Sequence, residues 1–351
     1  LYTYDAFSPL VLFTLERFGF CAPGEAAAWV QGGRIELGGE LPMNTSGGLL
    51  SEAHIGGWNS ILEIVRREPS RDGSVKYGLR LSDGALIEAV YMPGDGGRAE
   101  VNEFADARVS RPEELQVAGF KFQGARGKYT VCLSSQTGCA VDCAFCVTGR
   151  LGGGRNLTAG EIMGELYAVT DDVGRSPEDL RVVFMGMGEP FLNPEGVLGA
   201  LDVLFEILPA RRVTVSTSGI VSAFPRFAER PVRPNLAVSL NAADSETRAA
   251  LMPITRVHPM EDLLRAMREW PLESRRRITV EYVLIAGRND SVEEAKRLAR
   301  LLSGIRAKGN LIPLNEDPVY LPGWKRPGEA AIDRFAAALT AAGVPVTVRR
   351  S

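Results

Sequence analysis

From residue 130 onward, short apolar runs recur at intervals that leave room for one helix between each pair. They are TVCLS (130–134), RVVFMG (181–186), RVTVST (212–217), NLAVSL (235–240), ITVEYVLI (278–285), GNLIPL (309–314) and PVTVR (345–349). The intervening stretches carry helix-start signals. Thr158 with Glu161 makes a capping box ahead of Ile162, Leu166 and Val169, and Ser291 with Glu294 makes a second ahead of Ala295, Leu298, Ala299 and Leu302. Strands that alternate with helices of this length predict parallel βαβ units, hence an α/β fold. About six units predict a partial (β/α)6 barrel, whose chemistry collects at the C-terminal ends of the strands.

Directly after the first of these strands comes GCAVDCAFCVTGR, residues 138–150. It places Cys139, Cys143 and Cys146 in the order C-x3-C-x2-C, three of the chain's five cysteines. An odd count with this clustering is no disulfide framework and fits a reducing, cytoplasmic setting. Structural zinc wants four protein ligands, and the only histidines, His54 and His258, are distant in sequence. Three thiolates on a 4Fe–4S cluster leave one iron open to a substrate or cofactor, which is what a catalytic cluster needs. The alternative is three buried structural thiols or a zinc knot.

The rest of the chain reads differently. LVLFTLERFGF (10–20) and GEAAAWVQ (24–31) look helical, and a Gly-rich stretch near 47–57 looks like a linker. Residues 61–92 alternate as hairpins broken at Asp72-Gly73 and Asp83-Gly84. Residues 94–128 are polar and Gly-rich, an irregular excursion. The expected domains are a small helical accessory region (1–57), a hairpin lead-in with a long insertion (58–129) and the barrel (130–351). The chain starts at Leu1, and the expectation is that it is trimmed there. No run approaches the roughly 18 apolar residues of a membrane span. Net charge is −3, which argues against a wholly basic nucleic-acid coat but leaves room for a local basic patch. Arginine pairs stand at Arg66-Arg67, Arg211-Arg212, Arg275–Arg277 and Arg349-Arg350. Such pairs are usually solvated; several at the barrel mouth would meet phosphates.

The C-x3-C-x2-C motif, with Phe145 before its last cysteine, resembles that of the radical S-adenosylmethionine (SAM) superfamily. VCLSSQTGCAVDCAFCVTGRLGGGRNLTAGEI (131–162), VVFMGMGEPFLN (182–193), RRVTVSTSG (211–219), LAVSLNAADSETRAALMPI (236–254), VEYVLIAGRNDS (280–291), NLIPLN (310–315) and GVPVTVRRS (343–351) together resemble the RNA adenine-C2 methyltransferases. That family acts on 23S rRNA and, in many members, on tRNA. An adenine-C8 methyltransferase is a close relative sharing most of these motifs.

The resemblance implies a partial barrel of the radical SAM type. Its cofactors are a 4Fe–4S cluster on Cys139, Cys143 and Cys146, and SAM. Gly188 and Glu189, in GMGEP, would bind the methionine end of SAM, helped by backbone amides left open beside glycine. Ser216, Ser239, Leu240, Asn241 and Asn315 would line the same cofactor, although the family often has His where Asn241 stands. Cys132 matches a catalytic cysteine and Glu88 a catalytic glutamate that moves a proton from adenine C2. Cys21 has no match and reads as structural.

In the family, a C-terminal cysteine receives a methyl group that becomes a bridge to adenine C2. The second cysteine, here Cys132, then attacks the bridging sulfur and releases methylated RNA. The methyl-carrying cysteine falls just after VTVRRS in the family, so it is expected beyond Ser351. Further expectations are an electron donor such as flavodoxin, a monomer, and no membrane. Two other functions compete: a relative with another target (adenine C8 or a non-RNA molecule), and a non-catalytic RNA-binding member.

Overall fold

The computed structural model describes residues 62–94, 128–175 and 179–349. The helices expected at 10–20 and 24–31, the linker, Cys21, His54, Arg350 and most of the 94–128 excursion lie outside the described residues. Two compact units emerge, Leu1–Leu133 with Met163–Val182, and Ser134–Ile162 with Val183–Ser351.

In the first unit, β1 (Leu62–Pro69), β2 (Val75–Leu81), β3 (Leu86–Met92) and β4 (Tyr129–Leu133) pair antiparallel in order. Alternation decides which face is buried. On β2, Val75, Tyr77, Leu79 and Leu81 turn inward, and on β3, Ile87, Ala89 and Tyr91 do the same. Each full burial of such a side chain contributes about 1.5–3 kcal/mol. The hairpin turns form where Asp-Gly predicts them: Gly73 and Gly84 have φ of 82° and 85°, and Asp72 and Asp83 accept from Ser74 N and Ala85 N at 2.9 and 3.0 Å. α2 (Ala159–Val173) crosses between units, and its last turn ties to this sheet. Asp172 accepts from Arg67 Nε at 2.9 Å and from the Tyr77 hydroxyl at 2.8 Å.

The second unit holds α1 (Val147–Arg150), α3 (Pro194–Ile207), β6 (Val213–Thr217), α4 (Phe224–Ala228), β7 (Asn235–Ser239), α5 (Ser245–Leu251), α6 (Met260–Glu269), β8 (Ile278–Leu284), α7 (Val292–Leu301), β9 (Ala307–Pro313), α8 (Glu329–Ala341) and β10 (Val346–Val348). β5 (Leu180–Phe184) spans the division. Strands β6 through β10 pair parallel in sequence order. All seven strands expected after residue 129 are present, each within two residues of its sequence-derived bounds. Among the described residues, no helix is long and apolar enough to cross a membrane.

The two expected capping boxes differ. At α2 the box is reciprocal: Glu161 N donates to Thr158 Oγ1 at 3.1 Å, and Thr158 N donates to Glu161 Oε2 at 2.8 Å. At α7 only half forms. Glu294 N donates to Ser291 Oγ at 3.1 Å, but the Glu294 carboxylate accepts from Ala243 N at 2.6 Å and the Tyr282 hydroxyl at 3.1 Å. A tertiary partner wins because the buried carboxylate would otherwise leave two inward-facing donors unpaired.

Candidate active site

The cysteine loop belongs to the second unit and is held by its backbone. Cys139 N donates to Gly152 O at 2.9 Å, Cys146 N to Cys143 O at 3.0 Å, and Ala144 N to Leu251 O at 2.8 Å. Glycines permit the first of these contacts. A Cβ on Gly138 would lie 2.4 Å from Gly152 O, and one on Gly154 would lie 2.4 Å from Gly138 N. Asp142 takes up the reversal with φ of 51°. Cys143 and Phe145 pack against Leu251, Met252, Ile285, Leu314 and Leu321. All three thiols are half-buried and unbridged. Burial pushes the Cys139 thiol up to about 11 and Cys143 higher still, with the neighbouring thiols adding to both. Thiols in such a place become thiolates when a cation binds them.

GMGEP threads beside this loop. Ser135 N donates to Met187 O at 2.8 Å, and Met187 N donates to Ser134 Oγ at 2.8 Å. Gly188 has φ of 97°, and a Cβ there would sit 2.6 Å from Gln136 Cβ, so the position admits only glycine. One sequence-derived expectation changes here. The Glu189 amide is not open to a ligand, since it donates to Gln136 Oε1 at 2.8 Å. The Glu189 carboxylate is buried and accepts from Phe191 N at 2.9 Å and Ser218 N at 2.6 Å. Burial raises its carboxyl, and those donors pull it back only in part.

The C-terminal ends of β6 and β7 bring Ser216, Ser218, Ser239, Leu240 and Asn241 to the same end of the parallel strands. Asn241 holds φ of 60°, a conformation Asn tolerates, and its Oδ1 accepts from Val283 N at 2.8 Å. Leu240 is fully buried, and Asn315, just past β9, is exposed.

The sequence did not point to Arg248. Its side chain is fully buried on α5. Nε donates to Leu240 O at 3.1 Å, Nη1 to Thr255 Oγ1 at 2.7 Å, and Nη2 to Ser218 O at 2.6 Å and Ser239 O at 3.2 Å. It thereby ties the ends of β6 and β7 together. Among the described residues no carboxylate pairs with it; burial lowers its pKa to about 10, and the Cys143 thiol opposes that shift. Glu281 was also missed. It comes level with Ser239 and accepts from Asn310 Nδ2 at 2.7 Å. A helix arginine and a strand glutamate carry no sequence signal that separates them from solvated surface.

Cys132 and Glu88 lie in the first unit. Cys132 is buried on β4, level with Val90. Glu88 is exposed on β3, and Lys76 Nζ donates to its Oε1 at 3.1 Å.

The site suits the cofactors of a radical SAM enzyme. Among the described residues, no group of three His, Cys, Asp or Glu side chains is close enough together to hold a single metal ion. The donor set is three thiols with no fourth ligand beside them in the loop. Ser218 Oγ is buried beside the Glu189 carboxylate and keeps hydrogen-bonding capacity that a bound ligand would use. Arg248 adds a buried positive charge without an acid, beside thiols that turn anionic on a cluster.

Comparison with known proteins agrees. The radical SAM superfamily model matches residues 133–301. A "Probable dual-specificity RNA methyltransferase RlmN" of Koribacter versatilis is 43% identical over 308 residues, 86% of this chain and 84% of that protein. The chain belongs to the RlmN family of radical SAM methyltransferases. A dual-specificity RNA methyltransferase RlmN of Sorangium cellulosum is 43% identical, covering 84% of this chain and 77% of that protein. The crystal structure of a radical SAM methyltransferase from Sphaerobacter thermophilus matches with a TM-score of 0.68 at 40% identity, over 82% of this chain and 76% of that one. RlmN-family membership establishes the partial barrel as the fold and brings SAM and a 4Fe–4S cluster as the family's cofactors. A second model, thiolase C-terminal domain-like, matches residues 1–68 and overlaps the radical SAM match nowhere.

The arginine pairs do not gather at the catalytic end. Arg211-Arg212 immediately precede β6, and Arg275–Arg277 immediately precede β8, so both lie at the opposite end of the strands. Arg67 is tied to Asp172.

Proposed function

We propose that this radical SAM methyltransferase acts on C2 of an adenosine in 23S rRNA, and on tRNA as a second substrate, through a methyl-cysteine intermediate. The carrying observation is the three-thiol loop, pinned by Ala144 N to Leu251 O at 2.8 Å and packed beside the buried Glu189. The names of the relatives, dual-specificity RNA methyltransferases, support RNA as the substrate.

Cys139, Cys143 and Cys146 hold the cluster in this reading. Gly188, Glu189, Ser216, Ser239, Leu240, Asn241 and Asn315 surround SAM, with Arg248 fixing the strand ends that carry four of them. When bound, the cluster and SAM supply one-electron chemistry at a carbon too electron-poor to attack a sulfonium methyl. Glu88 moves the proton from C2. The Cys132 thiolate attacks the sulfur of the RNA-linked cysteine expected beyond Ser351. A disulfide forms, the carbon–sulfur bond breaks with its electron pair left on the methylene carbon, that carbon takes up a proton to become the methyl group, and methylated RNA leaves. The barrel spans 130–351, with 58–129 as its lead-in and 1–57 as an accessory region. A flavodoxin-like donor, a monomeric state and a cytoplasmic setting complete the reading.

Mass spectrometry of nucleosides from a strain lacking the gene tests it. The expected result is loss of 2-methyladenosine from 23S rRNA and tRNA, restored by the full-length gene. Unchanged 2-methyladenosine with loss of 8-methyladenosine would move the target to C8.

A further inference from the structure

The start of nearly every parallel strand in the second unit carries arginine. Arg211 and Arg212 precede β6, Arg233 stands two residues before β7, Arg276 and Arg277 precede β8, and Arg306 precedes β9. The register aligns them. Thr214 pairs with Asn235 and Ile278 with Ala307, so Arg212 comes level with Arg233 and Arg277 with Arg306. Neighbouring strands lie about 4.8 Å apart, so four strand starts span roughly 14 Å.

The loops that present these residues are tied to one another. Asn235 Nδ2 donates to Arg211 O at 2.9 Å, Arg276 Nη1 to Arg233 O at 3.2 Å, and Arg306 Nη2 to Leu272 O at 2.9 Å. Arg233, Arg276 and Arg277 also line a shallow surface dent together with Trp270 and Glu273.

Part of this charge meets no carboxylate among the described residues. Arg230 pairs with Asp202, and Arg276 pairs with Glu273 at 3.1 Å. Among the described residues, Arg233, Arg277 and Arg306, by contrast, donate to backbone carbonyls, and Arg233 Nε is buried without a partner. Carbonyls orient a guanidinium but leave its charge in place. In a chain of net charge −3, one end of the sheet therefore concentrates positive charge. Guanidinium groups present forked donors that match phosphate oxygens. A row of such groups can meet several phosphates of one RNA backbone.

We propose that the N-terminal ends of β6–β9 form a second RNA-contact surface, which holds phosphate backbone away from the target adenosine. This rests on the reading of RNA as substrate. β8 has seven residues, so the surface lies roughly 20 Å from the catalytic end, a distance a folded RNA bridges and a short hairpin does not. Phosphate contacts position the RNA and carry no base information. The surface acts on affinity for large RNA and leaves the chemical step alone.

The test compares the full-length protein with an Arg277→Gln/Arg306→Gln variant and an Arg277→Lys/Arg306→Lys variant. Binding of a domain-sized 23S rRNA fragment is titrated across salt. The Gln variant is expected to lose about 0.9 in the log–log salt slope for each contact removed. Its KM for the large fragment should rise on the order of tenfold, with kcat and methylation of a short target hairpin unchanged, and Lys should restore most of the slope. Arg211→Glu, at an exposed side chain, gives the same readout should the double variant fold poorly. Slope and KM equal to the parent in well-folded variants would overturn the surface while leaving the RNA reading intact. A parent protein that neither binds nor methylates RNA would overturn both.

Discussion

The two ends of the parallel strands use polar residues in opposite ways. At the C-terminal ends, Arg248, Asn241, Glu189 and Ser218 are buried, and Arg248, Asn241 and Glu189 are each held by several short hydrogen bonds. At the N-terminal ends, Arg211, Arg277 and Arg306 are exposed, and Arg277 and Arg306 rest on backbone carbonyls. Buried polar groups are costly to disturb, because each loses partners it cannot replace with solvent. Exposed charges are cheap to disturb and act through long-range fields. One end is therefore built for fixed geometry, the other for adaptable attraction.

The largest expected effect lies at the catalytic end. Cys139→Ala is expected to abolish both the brown chromophore of the anaerobically reconstituted protein and the reductive cleavage of SAM. Iron content and cleavage at parental levels in that variant would remove Cys139 from the cluster. The second effect is on stability. Arg248→Met leaves the Leu240, Ser218 and Ser239 carbonyls without their donor. A loss of about 3 kcal/mol is expected in denaturant melts, from unsatisfied buried acceptors at about 1–3 kcal/mol each. Arg277→Gln, at the other end, should move stability by less than about 0.5 kcal/mol. Equal losses at the two positions would erase the contrast.

A smaller effect sharpens it. Thr158→Ala removes the cap of α2 and should cost about 1 kcal/mol. Burial raises the Glu161 carboxyl, but Arg155 and the Thr158 donors outweigh it, so its pKa falls below the ordinary glutamate value of 4.5. A depressed carboxyl contributes stability above its unfolded pKa and loses it as pH falls through the folded one. The melting difference between parent and Glu161→Gln should therefore be full near neutral pH and shrink below about pH 4.5. A difference independent of pH would show that Glu161 acts through packing alone.

The strands, the Asp-Gly turns and the α2 cap were legible because each is set by residues within a few positions. The cysteine loop was legible because its spacing and its place after β4 are local. Arg248 was not, because its partners come from Ser218, Ser239, Leu240 and Thr255 on separate segments. Glu294 was half legible: the cap bond is local, but its carboxylate goes to Ala243 and Tyr282. The arginine pairs were visible as charge, yet their end of the barrel followed only from strand direction.

The central claim is that RNA is methylated through a covalent protein link which Cys132 releases. Cys132→Ala, expressed with the methyl-carrying cysteine present, measures it on a denaturing gel with and without nuclease. The account predicts a nuclease-sensitive upward shift, because the adduct forms and cannot be cut. A merely buried Cys132 would behave otherwise, costing about 1–2 kcal/mol of stability in an active enzyme. Free protein alongside normally methylated RNA would contradict the account.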